Sequence, residues 1–181
     1  MTTLTEAPAL EAGTWQLDPV HSRVGFAVGY LAGTFHGSFA PFEATLAVDD
    51  GGTATLSGSA KVDSIQVQDE SLGAHLASPE FFDAEQSPEI TFVSDGFEAD
   101  GAFVAVPGKL TIKGITKPVQ LTGTISGPIT DPYGRQRANV RLETTVDRST
   151  FGLDWNVPLP SGEQALAQDV TLDAELGFIK D

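Results

Sequence analysis

Asp18, His21 and Ser22, the three residue types that together run acyl transfer, fall within five positions of one another near the start of the 181-residue chain. A carboxylate, an imidazole and a hydroxyl form a hydrolytic relay only when the imidazole reaches the hydroxyl proton. If His21 and Ser22 open a strand, their side chains point to opposite faces and that contact is lost. The spacing therefore favours a corner after Pro19, with Asp18 or Ser22 bonded to backbone and His21 pinning the turn. Metal chemistry has little to start from. His21, His36 and His75 are the only histidines, no two share a short ligand spacing, and there is no cysteine, so neither a metal nor a cofactor is expected. His75 falls near the C-terminal end of a helix beginning at Asp69, where an imidazole is expected to serve the last turn. Arg148, between Asp147 and Ser149, has the planar fork that grips a diphosphate. Beside an aspartate at a strand end, it is expected instead to pair or to satisfy loop carbonyls. Lys109 and Lys113 alternate with Leu110 and Ile112, and with Lys117 they read as a solvated face, not a phosphate clamp. Gly25, Gly29, Gly33 and Gly37 precede no helix, so they suit strand bends and close backbone approach, not a phosphate loop.

The elements that carry these residues are mainly strands. Val24, Phe26, Val28 and Tyr30 share one parity, as do Ala44, Leu46 and Val48, and then Ala54, Leu56, Gly58, Ala60 and Val62. The alternation resumes with Leu110 and Ile112. It continues through Val119, Leu121, Gly123 and Ile125, through Ala138, Val140, Leu142, Thr144 and Val146, and through Val170, Leu172, Ala174, Leu176 and Phe178. Turns between them are marked by Asp49-Asp50-Gly51-Gly52, by the stretch from Asp95-Gly96 to Asp100-Gly101, and by Asp131-Pro132-Tyr133-Gly134. Many short alternating strands with such turns describe an antiparallel barrel or sandwich. One helical insertion is expected from Asp69, which caps Glu70 to Ala77. Ser78-Pro79 then reads as the start of a second short helical piece bearing Phe81 and Phe82, and Pro88 launches a strand through Ile90 and Phe92. Residues 1–12 are expected to be a flexible tail and residues 13–181 a single domain.

Composition narrows the function. Eleven phenylalanines stand against two tyrosines and two tryptophans, which favours an oily interior or an oily guest over a polar substrate. Small inward residues from Ala54 to Val62 leave space, while Phe26, Tyr30, Phe35 and Phe39 either line that space or fill it. A net charge of −15 excludes nucleic acid as a natural partner. The N-terminus has no basic leader and no apolar run, and no stretch reaches membrane-spanning length, so a cytoplasmic, non-spanning protein is expected.

Four blocks, in order and spacing, carry a family resemblance. They are Trp15-Gln16-Leu17-Asp18-Pro19-Val20-His21-Ser22 leading into Val24-Gly25-Phe26, then Asp69 to Phe92, then Gly108 to Val119, and finally Asp131-Pro132-Tyr133-Gly134 joined to Asp147-Arg148-Ser149-Thr150-Phe151-Gly152-Leu153. Together they resemble the YceI-like family. Two departures stand out: Gly29-Tyr30 where many relatives have a Lys-His pair, and Asp147 where they often have asparagine. The resemblance implies an all-β, antiparallel, lipocalin-like barrel of about eight strands, with the helical insertion lying over one end. It also tips the interior toward a cavity that binds, stores or transports a long apolar lipid, most of all a polyisoprenoid or an isoprenoid quinone-type tail, without catalysis. The residues expected to hold the ligand are Phe26, Val28, Tyr30, Phe35, Phe39, Leu46, Leu56, Phe92, Leu110, Ile112, Leu142 and Leu172. Alternatives from other classes are a lipid-modifying enzyme using His21 or His75, and a scaffold acting through protein contacts. Exposed edge strands leave room for a homodimer.

Overall fold

The computed structural model describes residues 10–181. Most of the expected N-terminal tail, residues 1–9, lies outside the described residues. Its last part is tied down: Leu10 packs against the core and the Glu11 carbonyl accepts from the Trp15 indole at 3.1 Å.

The strands are β1 (Gly13–Leu17), β2 (Arg23–Tyr30), β3 (Gly33–Phe39), β4 (Phe42–Val48), β5 (Ala54–Lys61) and β6 (Ile65–Gln66). After helix α1 (Glu70–Ala77) come β7 (Glu89–Ser94), β8 (Phe103–Ile112), β9 (Ile115–Thr130), β10 (Gln136–Asp147) and β11 (Leu166–Lys180). All eleven belong to one antiparallel sheet. Register shows that β1 and β2 are one long stave, since Leu17 lies opposite Phe178 and Arg23 opposite Glu175 on the same edge of β11. In the same way β3 and β4 run end to end against β2 and β1, and β5 and β6 against β4 and β3. Counted as staves, eight antiparallel strands follow one another in chain order, and the first pairs with the last. The result is a closed up-and-down barrel, which leaves few free sheet edges.

The three breaks lie side by side, at Asp18–Ser22, Ala40–Pro41 and Val62–Ser64. The Ala40 N–H donates to the Ser64 carbonyl across this crease at 3.1 Å. Pro41 has no N–H to give the ladder, which is one reason the second stave bends here. Above the crease β6 reaches only Ser38 and Phe39, so Gly33–Gly37 of β3 has no partner on its outer edge among the described residues.

The turns follow from their residues. One Asp49 carboxylate oxygen accepts from the N–H groups of Gly51 and Thr53, and one Asp131 oxygen from those of Tyr133 and Arg135. Lys113 and Gly114 both take positive φ, as a two-residue hairpin between β8 and β9 requires.

The barrel has two unlike halves. The half holding the start of β1 and the end of β11 is filled: Trp15, Leu46, Val104, Val106, Val140 and Phe178 are each at most 1% exposed. The other half carries a second apolar cluster that includes Phe26, Phe39, Leu110 and Phe151. Over its end lies α1, capped as expected by Asp69, whose carboxylate accepts from Leu72 N–H at 3.0 Å. The expected second helical piece does not form. Ser78 closes α1 instead, donating both its hydroxyl and its N–H to the His75 carbonyl. Residues 79–86 then run through turns, with Asp83 in the left-handed region at φ 52°, which a helix does not admit. Phe81 and Phe82 nevertheless point inward and are buried. The Lys113 ammonium straps this cover to the barrel by donating to the carbonyls of Pro79 and Gly152.

Candidate functional site

Beneath the cover the barrel is hollow. A cavity of about 430 Å³ opens there, bounded almost entirely by carbon. That volume lies within the range of pockets that engulf small organic ligands. At about 30 Å³ per water-sized group it takes at least roughly fourteen carbon-sized groups, about three isoprene units. Phe26, Val28, Tyr30, Phe35, Phe39, Leu56, Phe92, Leu110, Ile112, Leu142 and Leu172 all border it. Leu46 does not. It faces inward, as parity requires, but pairs with Trp15 in the filled half. Parity tells inside from outside and is silent about which end of the barrel a residue occupies.

Phenylalanine rings make one side of the wall. Phe26 lies 5.9 Å from Phe35 and 6.0 Å from Phe39 between ring centroids, and Phe39 meets Phe82 edge-on at 6.2 Å. Two glycines make this possible. A Cβ on Gly37 would stand 2.5 Å from the Phe26 ring, and one on Gly108 would stand 2.7 Å from the Phe92 ring. Each ring comes this close to a neighbouring strand because no side chain is there. On β5, Gly58 and Ala60 face the cavity and present little bulk, so the space between these walls stays open.

Sequence parity already marked Val119, Leu121, Val146 and Val170 as inward, and they also border the cavity. Leu153 and Trp155 border it from the irregular connection between β10 and β11, where no periodicity exists to reveal them.

Polar atoms gather at the covered end. Arg148 is 3% exposed and borders the cavity. Its guanidinium donates from Nε to the Ala167 carbonyl at 2.8 Å, from Nη1 to those of Leu153 and Trp155, and from Nη2 to that of Leu166 at 3.4 Å. The start of β11 explains this. Between Leu166 and Val170 the pairing of β11 with β2 slips, and the arginine takes up carbonyls on the bulged segment. Of the two roles expected for Arg148, satisfying carbonyls is the one it plays. Asp147 turns away to accept from the Ser149 N–H and hydroxyl. Burial pulls the guanidinium below its usual pKa, against the pull of Asp154 and Asp147. His75, also on the lining, sits edge-on to Phe81 and Trp155 at 5.0 Å from each ring, with Nε2 on the Glu80 carboxylate at 2.5 Å. It contacts a carboxylate and aromatic rings, where the sequence suggested helix-end carbonyls.

The Asp18 corner lies at the crease, away from the cavity. One Asp18 oxygen meets His21 Nδ1 at 2.6 Å and Arg137 Nη1 at 2.7 Å, while the other accepts from Val20 N–H. The Ser22 hydroxyl donates to the Asp18 carbonyl at 2.6 Å and accepts from the Gly177 N–H at 2.9 Å. It therefore holds backbone to backbone. The His21 ring is bonded to Asp18 and its side chain is 70% exposed. Burial works to raise the Asp18 carboxyl, but hydrogen bonds from His21 and Arg137 outweigh it and hold the group below the ordinary carboxylate range. The Arg137 guanidinium also bonds Asp131 and holds that carboxyl well below its ordinary value. His36 is exposed on β3. No cluster of three histidine or carboxylate side chains able to hold a metal occurs among the described residues, and no helix of the described chain is long and apolar enough to cross a membrane.

Comparison with known proteins agrees with this geometry. A family model described as the YceI-like domain matches residues 15–178. A UPF0312 protein of Pseudomonas putida (strain W619) is 30% identical over 185 residues, covering 99% of this chain and 93% of that protein. Among solved structures, BcnA of Burkholderia cenocepacia superposes with a TM-score of 0.72 at 25% identity, over 89% of this chain and 98% of that one. A polyisoprenoid binding domain from Saccharophagus degradans gives a TM-score of 0.66 at 14% identity, over 94% of this chain and 100% of that one.

Proposed function

The chain belongs to the YceI-like family, and from that premise we propose that its barrel binds a long apolar lipid chain, foremost an isoprenoid chain or isoprenoid-type tail, as a carrier or store and not as a catalyst. The observation that carries the reading is the 430 Å³ hollow walled by phenylalanine and aliphatic side chains beside a fully packed half of the same barrel. A core that packs to completion at one end and leaves room at the other has space for a guest. The likeness in fold to a domain described as polyisoprenoid binding supports an isoprenoid over other lipids. Each buried methylene is worth about 0.8 kcal/mol. Roughly fourteen carbons then supply about 11 kcal/mol before the cost of immobilising the chain, enough for tight binding without a polar code. Chain length and width govern selection under this reading.

The test is organic extraction of natively purified protein followed by mass spectrometry, repeated after incubation with a lipid mixture. A stoichiometric prenyl or other long-chain lipid supports a carrier and identifies its cargo. A clean extract on both occasions, with the protein folded, overturns the reading. An enzymatic alternative retains one observation: His75 is the single histidine on the cavity lining among the described residues. Turnover of a lipid panel that disappears on replacing His75 would favour it.

A further inference from the structure

Arg148 is the only lysine or arginine bordering the cavity among the described residues. Its four hydrogen bonds all go to neutral carbonyls, and among the described residues it forms no ion pair with a carboxylate, although Asp147 and Asp154 are close enough to act on it through space. A guanidinium carries five N–H donors. Four are used, and the second hydrogen on Nη2 has no acceptor among the described residues. A buried cation with a spare donor and no counter-ion is costly to keep in an apolar wall. It is also the group best matched to a negatively charged oxygen, because both hydrogen bonding and charge improve when such a group arrives.

The surroundings set what can arrive. Trp155 gives its carbonyl to Arg148 and its ring to His75, so the two polar side chains lie on either side of one residue. Both sit at the covered end, and the remaining wall down to Leu56 and Leu142 is almost all apolar: of the two carboxylate residues that also border it, Asp173 is paired with Arg23 and Glu43 is exposed to solvent. A ligand fitting this arrangement is amphiphilic, its tail in the lower cavity and its head beneath α1. One spare N–H in a carbon-lined recess suits a small head of single charge better than a bulky, heavily charged one.

We propose that Arg148 is a head-group subsite, and that the cavity selects long apolar chains ending in a carboxylate or a comparable single anionic oxygen. This rests on the reading of the cavity as a lipid site. On that footing the arginine has two uses: it closes the β11 bulge and it reads the end of the ligand.

The experiment compares farnesoic acid, farnesol and farnesyl diphosphate, which share one fifteen-carbon chain, by titration into delipidated wild-type protein at neutral pH, with the Arg148 Nε–Hε resonance followed by NMR. The resonance is assigned in the wild-type protein by through-bond correlation to the Arg148 backbone amide. The expected result is an acid that binds at least about tenfold more tightly than the alcohol, the scale of one charge-assisted hydrogen bond. The acid shifts the Arg148 resonance, and the alcohol leaves it in place. Tighter binding of the diphosphate than of the acid overturns the choice of a small, singly charged head. Equal affinity of acid and alcohol, or acid binding without a shift at Arg148, overturns the subsite while leaving the lipid cavity standing. Binding by none of the three overturns both. If Arg148→Lys folds, it loses most of the preference for the acid over the alcohol. The wild-type comparison decides the question even if that variant is unstable.

Discussion

Ala60→Leu and Ala138→Leu make the same chemical change in the two halves of the barrel. Ala60 borders the cavity and Ala138 belongs to the filled core, and both alanines are nearly inaccessible to solvent. Three added carbons at Ala138 have nowhere to go, and overpacking of that kind costs about 1–3 kcal/mol. At Ala60 they enter the hollow, taking about 90 of the 430 Å³ at roughly 30 Å³ per group. Their burial offers up to about 2.4 kcal/mol at 0.8 kcal/mol per methylene, so ligand-free stability is unchanged or rises. The same three carbons displace a comparable length of ligand. Affinity for a prenyl chain long enough to fill the cavity therefore falls by about 2.4 kcal/mol, roughly fiftyfold in Kd. Denaturant unfolding of delipidated protein gives the first quantity and titration with farnesol the second. Equal destabilisation at the two positions would mean that the upper half is as full as the lower. Unchanged farnesol affinity in a stable Ala60→Leu protein would put the ligand somewhere else.

Three further outcomes follow from particular contacts. Gly37→Ala forces a methyl group to within 2.5 Å of the Phe26 ring, so it should destabilise by about 1–3 kcal/mol in chemical unfolding, with part of the loss restored by Phe26→Leu. Arg137→Leu removes the cation shared by Asp18 and Asp131, whose carboxyls are held below their ordinary value of 3.8. Carboxyls depressed on folding stabilise above their unfolded pKa, and that stabilisation is lost as pH falls through the folded values. The wild-type protein should therefore outlast the variant by the largest margin in thermal melts above about pH 5, with the gap closing toward pH 2. A gap constant with pH would show that the carboxylates are not what Arg137 stabilises. His75→Ala should keep farnesol binding within a few-fold, since its ring contributes edge contacts to Phe81 and Trp155 while the tail lies lower; a complete loss would give His75 a larger part than the binding account allows.

Much of this architecture was legible from alternation alone. The inward sets on β2, β5, β10 and β11 face the interior as their parity required, and the aspartates at positions 49, 69 and 131 cap or close the elements they were expected to. Local chemistry also resolved the Asp18 corner, though not through strand alternation: His21 and Ser22 lie in the turn before β2, where the imidazole is taken up by Asp18 and the hydroxyl by backbone. What alternation could not supply was height along the barrel, which is why Leu46 was grouped with the cavity residues and lies instead beside Trp15. Nor could it reach Leu153 and Trp155, which are placed by an irregular connection held to Arg148 through carbonyls. Ser78 shows a different limit. A serine before proline suits the start of a helix and the end of one, and the choice was made by the carbonyl of His75. Gly37 was read as a site of close approach, but only the structure shows that what approaches is a phenylalanine ring, and Gly108, which the sequence did not single out for this, admits the Phe92 ring in the same way.

An apolar chain held in the hollow half of the barrel and not in the filled half accounts for the features described above. Isotope-filtered NOE spectra of the protein with ¹³C-labelled farnesol test this directly. Contacts are expected from the chain to Leu110, Ile112 and Leu172, which border the cavity, and none to Val104 or Val106, which lie in the filled half. Contacts confined to surface residues, or no saturable complex at all, would contradict it.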